Sequence, residues 1–344
     1  MTKPKNKLAE RLAKGPVLCA EGYLFELERR GYLKAGAFVP EVVVDHPEVV
    51  AQQHREFVRA GSDVVEAFTY YAHRQKLRVI GREDELEPHN RQALRIAKEV
   101  ADETGTLLAG NICDTWVYGP ENKEETGKTV RAMYEEQVQW AVEEGADFII
   151  AETIEHLGEA LIALDVIKHH GLPSVITFAP FRSIEKSVDG YDWIEACKEL
   201  EKHGADVVGF NCATGPETIL PLLKKLRKAV KCYTAALPVP YNTTKDKSLW
   251  FLEHKGEHAF PTALDPLLCT RDEMAEFAKK AQEIGIEYIG ICCGAGPHHV
   301  RSMAEALGRK VPASKYSPDI TQHGLFGNEK VVKKRDKQFL SQRK

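Results

Sequence analysis

No apolar run in this 344-residue chain approaches the roughly 20 residues needed to cross a bilayer. Residues 1–14 are basic and helical in pattern but carry no apolar core or cleavage site of an export signal. Neither sign of charge dominates: 47 Lys and Arg against 51 Asp and Glu leave a formal charge of −4. That balance gives no electrostatic case for nucleic acid as a partner. These absences argue against a membrane span and a basic nucleic-acid binder, and set the expectation of a cytoplasmic protein with small-molecule partners. In a reducing compartment its eight cysteines (19, 113, 197, 212, 232, 269, 292, 293) are better explained by metal binding or burial than by disulfides.

What is present is a regular alternation of short apolar runs with amphipathic ones. Strand candidates fall at 17–21, 64–69, 107–112, 148–151, 174–178, 207–211, 232–237 and 288–292, each followed by a helical pattern. Asp45-His46-Pro47-Glu48 reads as a helix start with Asp45 as its cap. A Gly-Ala/Ser-Asp step recurs before strands, at Gly61-Ser62-Asp63, Gly145-Ala146-Asp147 and Gly204-Ala205-Asp206. Eight strands, each followed by a helix, predict a parallel (β/α)8 TIM barrel over residues 1–310. The alternative is a doubly wound open sheet, but the count closes at eight with no obvious switch point. Residues 311–344 form a short irregular C-terminal tail. Its basic run 330–335 and its apolar pairs Leu325-Phe326 and Phe339-Leu340 suit a solvated arm or packing on another subunit.

The chemistry concentrates at strand ends. Gly290-Ile291-Cys292-Cys293-Gly294 puts two cysteines side by side, where disulfide geometry between them is poor. Val207-Val208-Gly209-Phe210-Asn211-Cys212 has the same form, an apolar strand and then a cysteine. In a barrel all such ends face one mouth. Cys212, Cys292 and Cys293 would then converge as ligands for a soft or borderline ion such as Zn²⁺, with a fourth position for a substrate thiol. The bland alternative is three buried cysteines acting as small apolar residues. Glu152 closes the fourth strand and needs a partner, either a substrate ammonium or a neighbouring base. Asn211 is a polar substrate contact or a strand cap. Glu21 is placed like Glu152, and Asp114 follows the third strand. His298 and His299 open the last helix, as outer support for the metal or as a polar helix start. Aromatics gather in the loops: Phe38; Phe68, Tyr70 and Tyr71; Trp116 and Tyr118; Trp250, Phe251 and Phe260. Ring faces attract onium cations by about 0.5–2 kcal/mol each; ordinary loop packing is the alternative. The long connection 238–268 is a candidate lid.

With these motifs in hand the chain resembles the zinc-dependent homocysteine S-methyltransferase family, and within it the betaine-using branch. The resemblance runs through Phe25-Glu26-Leu27-Glu28-Arg29-Arg30-Gly31, His54-Arg55-Glu56-Phe57, Ala67-Phe68-Thr69-Tyr70-Tyr71-Ala72, Ala151-Glu152, Gly209-Phe210-Asn211-Cys212 and Gly290-Ile291-Cys292-Cys293-Gly294. It implies a zinc-binding barrel that methylates the thiol of homocysteine to give methionine, with Cys212, Cys292 and Cys293 as ligands. It implies Glu152, Glu21, Gly22 and Asn211 around homocysteine, and no catalytic group beyond zinc activation of the thiol. Tyr70 and Tyr71 match an aromatic pair of the donor pocket and Phe38 stands in its wall; Trp116, which has no clear equivalent in the betaine enzymes, and Phe260 join them from the loop aromatics as candidate donor contacts for glycine betaine or a similar onium compound. It also implies a homo-oligomer, with Arg335 reaching toward a partner's donor site. Besides Trp116, three departures stand out. Ala20-Glu21 replaces the usual Asp-Gly, Thr153 replaces an aromatic, and Phe38 stands where the betaine enzymes usually carry tryptophan. Other donors, such as a sulfonium compound, S-methylmethionine or methyl-folate, another thiol acceptor, and a non-catalytic barrel with structural zinc remain the alternatives.

Overall fold

Each of the eight apolar runs becomes a strand: β1 Val17–Ala20, β2 Val64–Glu66, β3 Leu107–Cys113, β4 Phe148–Ile154, β5 Ser174–Phe178, β6 Val207–Asn211, β7 Tyr233–Leu237 and β8 Tyr288–Ile291. The computed structural model describes residues 6–323, 327 and 341–342. The basic run 330–335 with Arg335 and the apolar pairs Leu325-Phe326 and Phe339-Leu340 lie outside the described residues. The strands are parallel in the order β1-β8-β7-β6-β5-β4-β3-β2. The first strand pairs with the last, from Val17 against Tyr288 to Ala20 against Ile291, which a doubly wound sheet does not do. Between β1 and β2 the ladder gives way to a local seam. Leu18 N–H donates to Asp63 Oδ2 at 2.7 Å, and Asp63 N–H donates to Leu18 O at 2.7 Å. The result is a (β/α)8 barrel.

The acid that precedes each even-numbered strand, Asp63, Asp147, Asp206 or Glu287, explains the register. Asp147 accepts Leu108 N–H at 3.0 Å, Asp206 accepts Ser174 N–H at 3.0 Å, and Glu287 accepts Thr234 N–H at 2.9 Å. Each carboxylate thus takes the first or second amide of the neighbouring strand. Slippage by one residue would break that bond and also turn the apolar face outward. Alternate strand residues separate cleanly. Val17, Cys19, Val64, Phe148, Ile150 and Tyr288 pack inside the barrel, while Leu18, Ala20, Val65, Ile149 and Ile289 pack against the helices. Leu8 and Leu12 of the helix Lys7–Leu12 close the bottom of that inner core.

Two local expectations are corrected. Asp45 does not cap the helix Pro47–Ala60, because its own backbone ends the short helix Val42–Asp45 and its carboxylate pairs with Arg82 at 2.9 Å. Nor does the fourth strand stop at residue 151, where its apolar run predicts an end: β4 continues to Ile154 through a register shift against β5 between Ala151 and Ile154. Such a bulge re-aims side chains at a barrel rim, and here it carries Glu152 and Thr153. The connection 238–268 folds over the mouth rather than trailing from it. Leu249 N–H donates to Ala213 O at 2.8 Å, and Val239 N–H donates to Thr214 O at 3.0 Å.

Asp63 also receives Arg11 at 2.8 Å and Arg309 at 2.7 Å, so one carboxylate ties the N-terminal helix, the seam and the end of the barrel together. Removing it leaves two guanidinium groups with carbonyl partners only, Gly15 and Pro16 for Arg11 and Pro16 for Arg309, and a strand amide without its acceptor. Asp63→Ala is expected to cost about 2–4 kcal/mol, read as a lower denaturant midpoint, while Asp147→Ala, with one fewer basic partner, costs less.

Candidate functional site

Cys212 lies one residue past β6 and Cys292 one residue past β8. Their amides are held by the neighbouring strand end: Cys212 N–H donates to Leu237 O and Cys292 N–H to Pro238 O, each at 2.9 Å. The chain then turns sharply. Cys212 and Ala213 take left-handed backbone, φ +53° and +55°, and Thr214 N–H closes back on Cys212 O. The outcome is three sulfurs, of Cys212, Cys292 and Cys293, within 4.8 Å of one another. Cys292 and Cys293 Sγ are 3.9 Å apart. Two thiolates on one tetrahedral zinc-like centre stand about 3.8 Å apart, from a metal–sulfur distance near 2.3 Å. The cysteines therefore fit one ion and lie too far apart to be bonded to each other. Hydrogen bonding to a neighbouring thiol, with burial, pushes the Cys212 and Cys293 thiols well above the usual range, so they keep their protons until a cation replaces them.

Beside the sulfurs lie three buried carboxylates. Asn111 Nδ2, from β3, donates to Glu66 Oε1 at 2.5 Å and to Glu152 Oε1 at 2.7 Å. Asn211 Nδ2 donates to Glu152 Oε2 at 2.7 Å, while its Oδ1 accepts Thr153 N–H at 2.9 Å. The same Nδ2 is 3.8 Å from Cys292 Sγ, which links the acid to the thiol group. Both oxygens of Glu21 and one of Glu66 make no hydrogen bond. Burial raises all three carboxyls, Glu21 and Glu66 well above their usual range and Glu152 to about 7. A carboxylate oxygen of Glu21 lies within 4.8 Å of both a Glu152 oxygen and Cys292 Sγ. Gly22 is required next door: a Cβ there would stand 2.8 Å from Ala295 Cβ and 3.1 Å from Cys292 O. The turn that carries the paired cysteines thus rests directly on the start of the helix Tyr23–Arg29.

The five aromatics expected around the donor divide. Tyr70 borders the carboxylate pocket. Tyr71 and Trp116 line a separate cavity of about 740 Å³ at the mouth, together with Tyr118, Phe181, Trp250 and Phe251. The Tyr70 and Tyr71 rings lie 4.1 Å apart, so this pair forms the partition between the two spaces. Phe38 and Phe260 instead pack in a cluster with Phe25, at 5.6–6.1 Å, joined to the cavity wall through Trp250 at 4.3 Å from Phe260. One cation already uses the rings. Lys76 Nζ sits 4.0 Å from the Tyr71 centroid and 3.9 Å from that of Trp116, and donates to Ala37 O at 3.2 Å. One face of each ring is therefore engaged by the chain's own ammonium. His298 and His299 do not support the sulfurs. His299 accepts Gly296 N–H and meets Cys269 O at 3.0 Å, and His298 stacks on it at 4.0 Å; both serve the helix start.

Glu66, Asn111 and Lys76 escaped the sequence reading. Glu66 ends the apolar step Val64-Val65 just as Glu152 ends its own, and the argument made for Glu152 applies to it unchanged. Asn111 interrupts an otherwise apolar β3. Lys76 carries no such mark, since one lysine at a helix start is ordinary.

The model of the homocysteine S-methyltransferase family matches residues 22–307. The chain is 34% identical over 337 residues to betaine–homocysteine S-methyltransferase 1 of Mus musculus, covering 95% of this chain and 80% of that one. The Danio rerio protein of the same name is 36% identical over 336 residues, covering 94% and 80%. The S-methylmethionine–homocysteine S-methyltransferase of Mus musculus is 33% identical over 336 residues, covering 95% and 88%. Among solved structures, the metallated form of the Escherichia coli homocysteine methyltransferase MmuM superposes with a TM-score of 0.68 at 19% identity, covering 87% of this chain and 99% of that one. That likeness is one of fold.

Because Gly22 abuts the cysteine turn, Gly22→Ala should displace it while leaving the barrel folded. Overpacking of about 1–3 kcal/mol translates into metal affinity some ten- to hundredfold lower. Metal content after dialysis against a graded chelator, with circular dichroism as the control for folding, reads the effect.

Proposed function

The chain belongs to the homocysteine S-methyltransferase family, and from that premise we propose that it transfers a methyl group from a small onium donor, glycine betaine or a similar compound, to the thiol of homocysteine, giving methionine. The observation that carries this reading is the cluster of Cys212, Cys292 and Cys293 sulfurs within 4.8 Å, beside a carboxylate held by two amides. The three cysteines are assigned as ligands of zinc. Bound there, zinc lowers the pKa of an acceptor thiol so that it reacts as thiolate.

The remaining steps rest on the chain's own residues. Glu152, fixed by Asn111 and Asn211, takes the ammonium of homocysteine, with Glu21 on its other side and Gly22 shaping the turn. The donor enters through the aromatic cavity, and its methyl carbon is presented to the sulfur past the Tyr70–Tyr71 partition. A sulfur–carbon bond forms as the carbon–nitrogen bond of the donor breaks, and the electron pair stays with nitrogen. The leaving amine is neutral, so the reaction needs no general acid and depends on alignment. Relatives named for betaine and for S-methylmethionine both use onium donors by name, and the aromatic lining suits either. We assign the protein to the cytoplasm and to a homo-oligomeric assembly on the same family grounds, and take residues 1–310 as the catalytic unit.

The test is methionine formation from homocysteine, zinc and a panel of betaines, sulfonium compounds and methyl-folate. Methionine from at least one onium donor is expected, and none from any donor would overturn the reading. Cys212→Ala and Cys293→Ala should lose metal and activity together; full activity in either would refute the ligand assignment. Glu152→Gln removes a charge-assisted bond to the acceptor ammonium, about 1.5–3 kcal/mol. kcat/KM for homocysteine should therefore fall about ten- to hundredfold with metal content unchanged.

A further inference from the structure

The cavity of about 740 Å³ beyond the Tyr70–Tyr71 partition has three acids on its wall, Asp114, Glu155 and Glu159, and they are not equivalent. Burial, then the neighbouring Glu159 and Glu155, push the Asp114 carboxyl well above the usual carboxylate range, so Asp114 is the acid that keeps its proton. Glu155 is engaged by Arg182, Nε to Oε2 at 3.4 Å. Glu159 is held differently. It is 1% exposed, and its Oε1 accepts Thr115 N–H at 2.8 Å and the Thr115 hydroxyl at 2.6 Å, with Tyr134 Oη at 3.2 Å. Bonds this short to one oxygen suit an ionised carboxylate. Its Oε2 makes no hydrogen bond among the described residues; His156 Nδ1 stands 3.8 Å off. Nor is Glu159 spent on the start of the helix Leu157–His169, which Asp189 caps by accepting Leu157 N–H and Gly158 N–H at 3.1 Å each. One oxygen thus fixes the carboxylate, and the other is left without a donor at the wall of the cavity.

The wall around it is aromatic: Tyr118, Phe181, Trp250 and Phe251 line the same cavity. Ring faces attract a cation only through their quadrupole, and Lys76 already lies against Tyr71 and Trp116. A carboxylate in a wall of low polarity acts with a full charge and over a longer range. We infer that Glu159 is the counter-ion of the methyl donor, and that its charge, more than the rings, makes this cavity select a positively charged headgroup. The inference rests on the methyl-transfer reading above for what the ligand does once bound. Glu159 forms no bond and takes no proton in that step; it decides which donor is admitted. Because the donor gives up its positive charge on transfer, the attraction weakens toward the transition state. Removing it therefore raises the donor KM more than it lowers kcat.

Glu159→Gln isolates the charge, since the amide oxygen can still accept both Thr115 bonds. The probes are glycine betaine and 3,3-dimethylbutyrate, which has carbon in place of the quaternary nitrogen and so the same shape without the positive charge. They are titrated calorimetrically into zinc-loaded protein, with 2-aminobutyrate filling the acceptor's place without a thiol to react. Wild-type protein should bind the betaine about tenfold or more tighter than the isostere. Glu159→Gln should weaken the betaine about tenfold or more and leave the isostere unchanged or tighter. With whichever onium donor turns over, its KM should rise by a similar factor, kcat should fall by less, and zinc content and the KM of homocysteine should stay as they are. Equal weakening of both probes would make Glu159 a structural residue and overturn the inference. So would equal affinity for the two in wild-type protein, or binding of neither, a comparison that needs no variant to fold. Charge-selective binding that vanishes in Glu159→Gln, with no methionine from any donor, would leave Glu159 its ligand and sink the methyl-transfer reading instead.

Discussion

Buried acidic groups short of partners at the mouth of the barrel are the constraint on which the rest of that end depends. Three carboxylates and three thiols share a few ångströms of buried space, and two asparagines are the chief groups that answer them. Each isolated buried carboxylate carries an effective penalty of several kcal/mol unless it is protonated or paired. Asn111 spans Glu66 and Glu152 with one amide, which fixes their spacing without neutralising either. Such an arrangement lowers the stability of the empty protein, and on the proposed reading a metal and an ammonium would relieve it. Stability and ligand binding are therefore linked through the same atoms.

Backbone strain follows the same division. Tyr71, Trp116, Thr153, Cys212 and Ala213 all take φ near +53° to +62°, and all sit at or just beyond the C-terminal ends of β2, β3, β4 and β6. For residues other than glycine each such conformation costs about 1–2 kcal/mol. The opposite end of the barrel shows the reverse: acids paired with strand amides, Arg11 and Arg309 on Asp63, and Leu8 and Leu12 sealing the inner core. One end is saturated with partners and holds the register. The other is left strained and undersupplied, which is how a rigid scaffold keeps reactive side chains in place.

The barrel was legible because its signals are local and repeated. Eight apolar runs, spaced by amphipathic helices, and the acid before the strand each report a single physical requirement. The convergence of Cys212 with Cys292 and Cys293 followed from that count alone, since strand ends share a mouth. What the sequence hid were relations between distant side chains. Glu66 and Glu152 are brought together by Asn111 across two strands, and no spacing announces that. The β4 bulge was invisible because the apolar run of that strand is interrupted by Glu152 and Thr153. Asp45 misled for a local reason: its cap-like position before Pro47 is overruled by the short helix that it ends.

Lys76 shows why the two halves of the reaction differ in how far sequence can reach. The acid stands on a strand and the sulfurs one or two residues past strand ends, where register fixes each side chain to within a residue. The aromatic residues stand on loops, where the identity of a ring says little about which of its faces is free. Tyr71 and Trp116 carry the composition of a cation cage, yet an ammonium from the same chain lies against both. A second cation on these rings would meet the first one's field, screened only by the rings and by buried Asp114, which lines the same cavity with one oxygen unpartnered. The surfaces left for a donor are then Tyr118, Phe181, Trp250 and Phe251 and the outer faces of the partition. On the proposed reading, donor choice is accordingly a property of loop packing around Lys76, and it can change without any change at the sulfurs beneath.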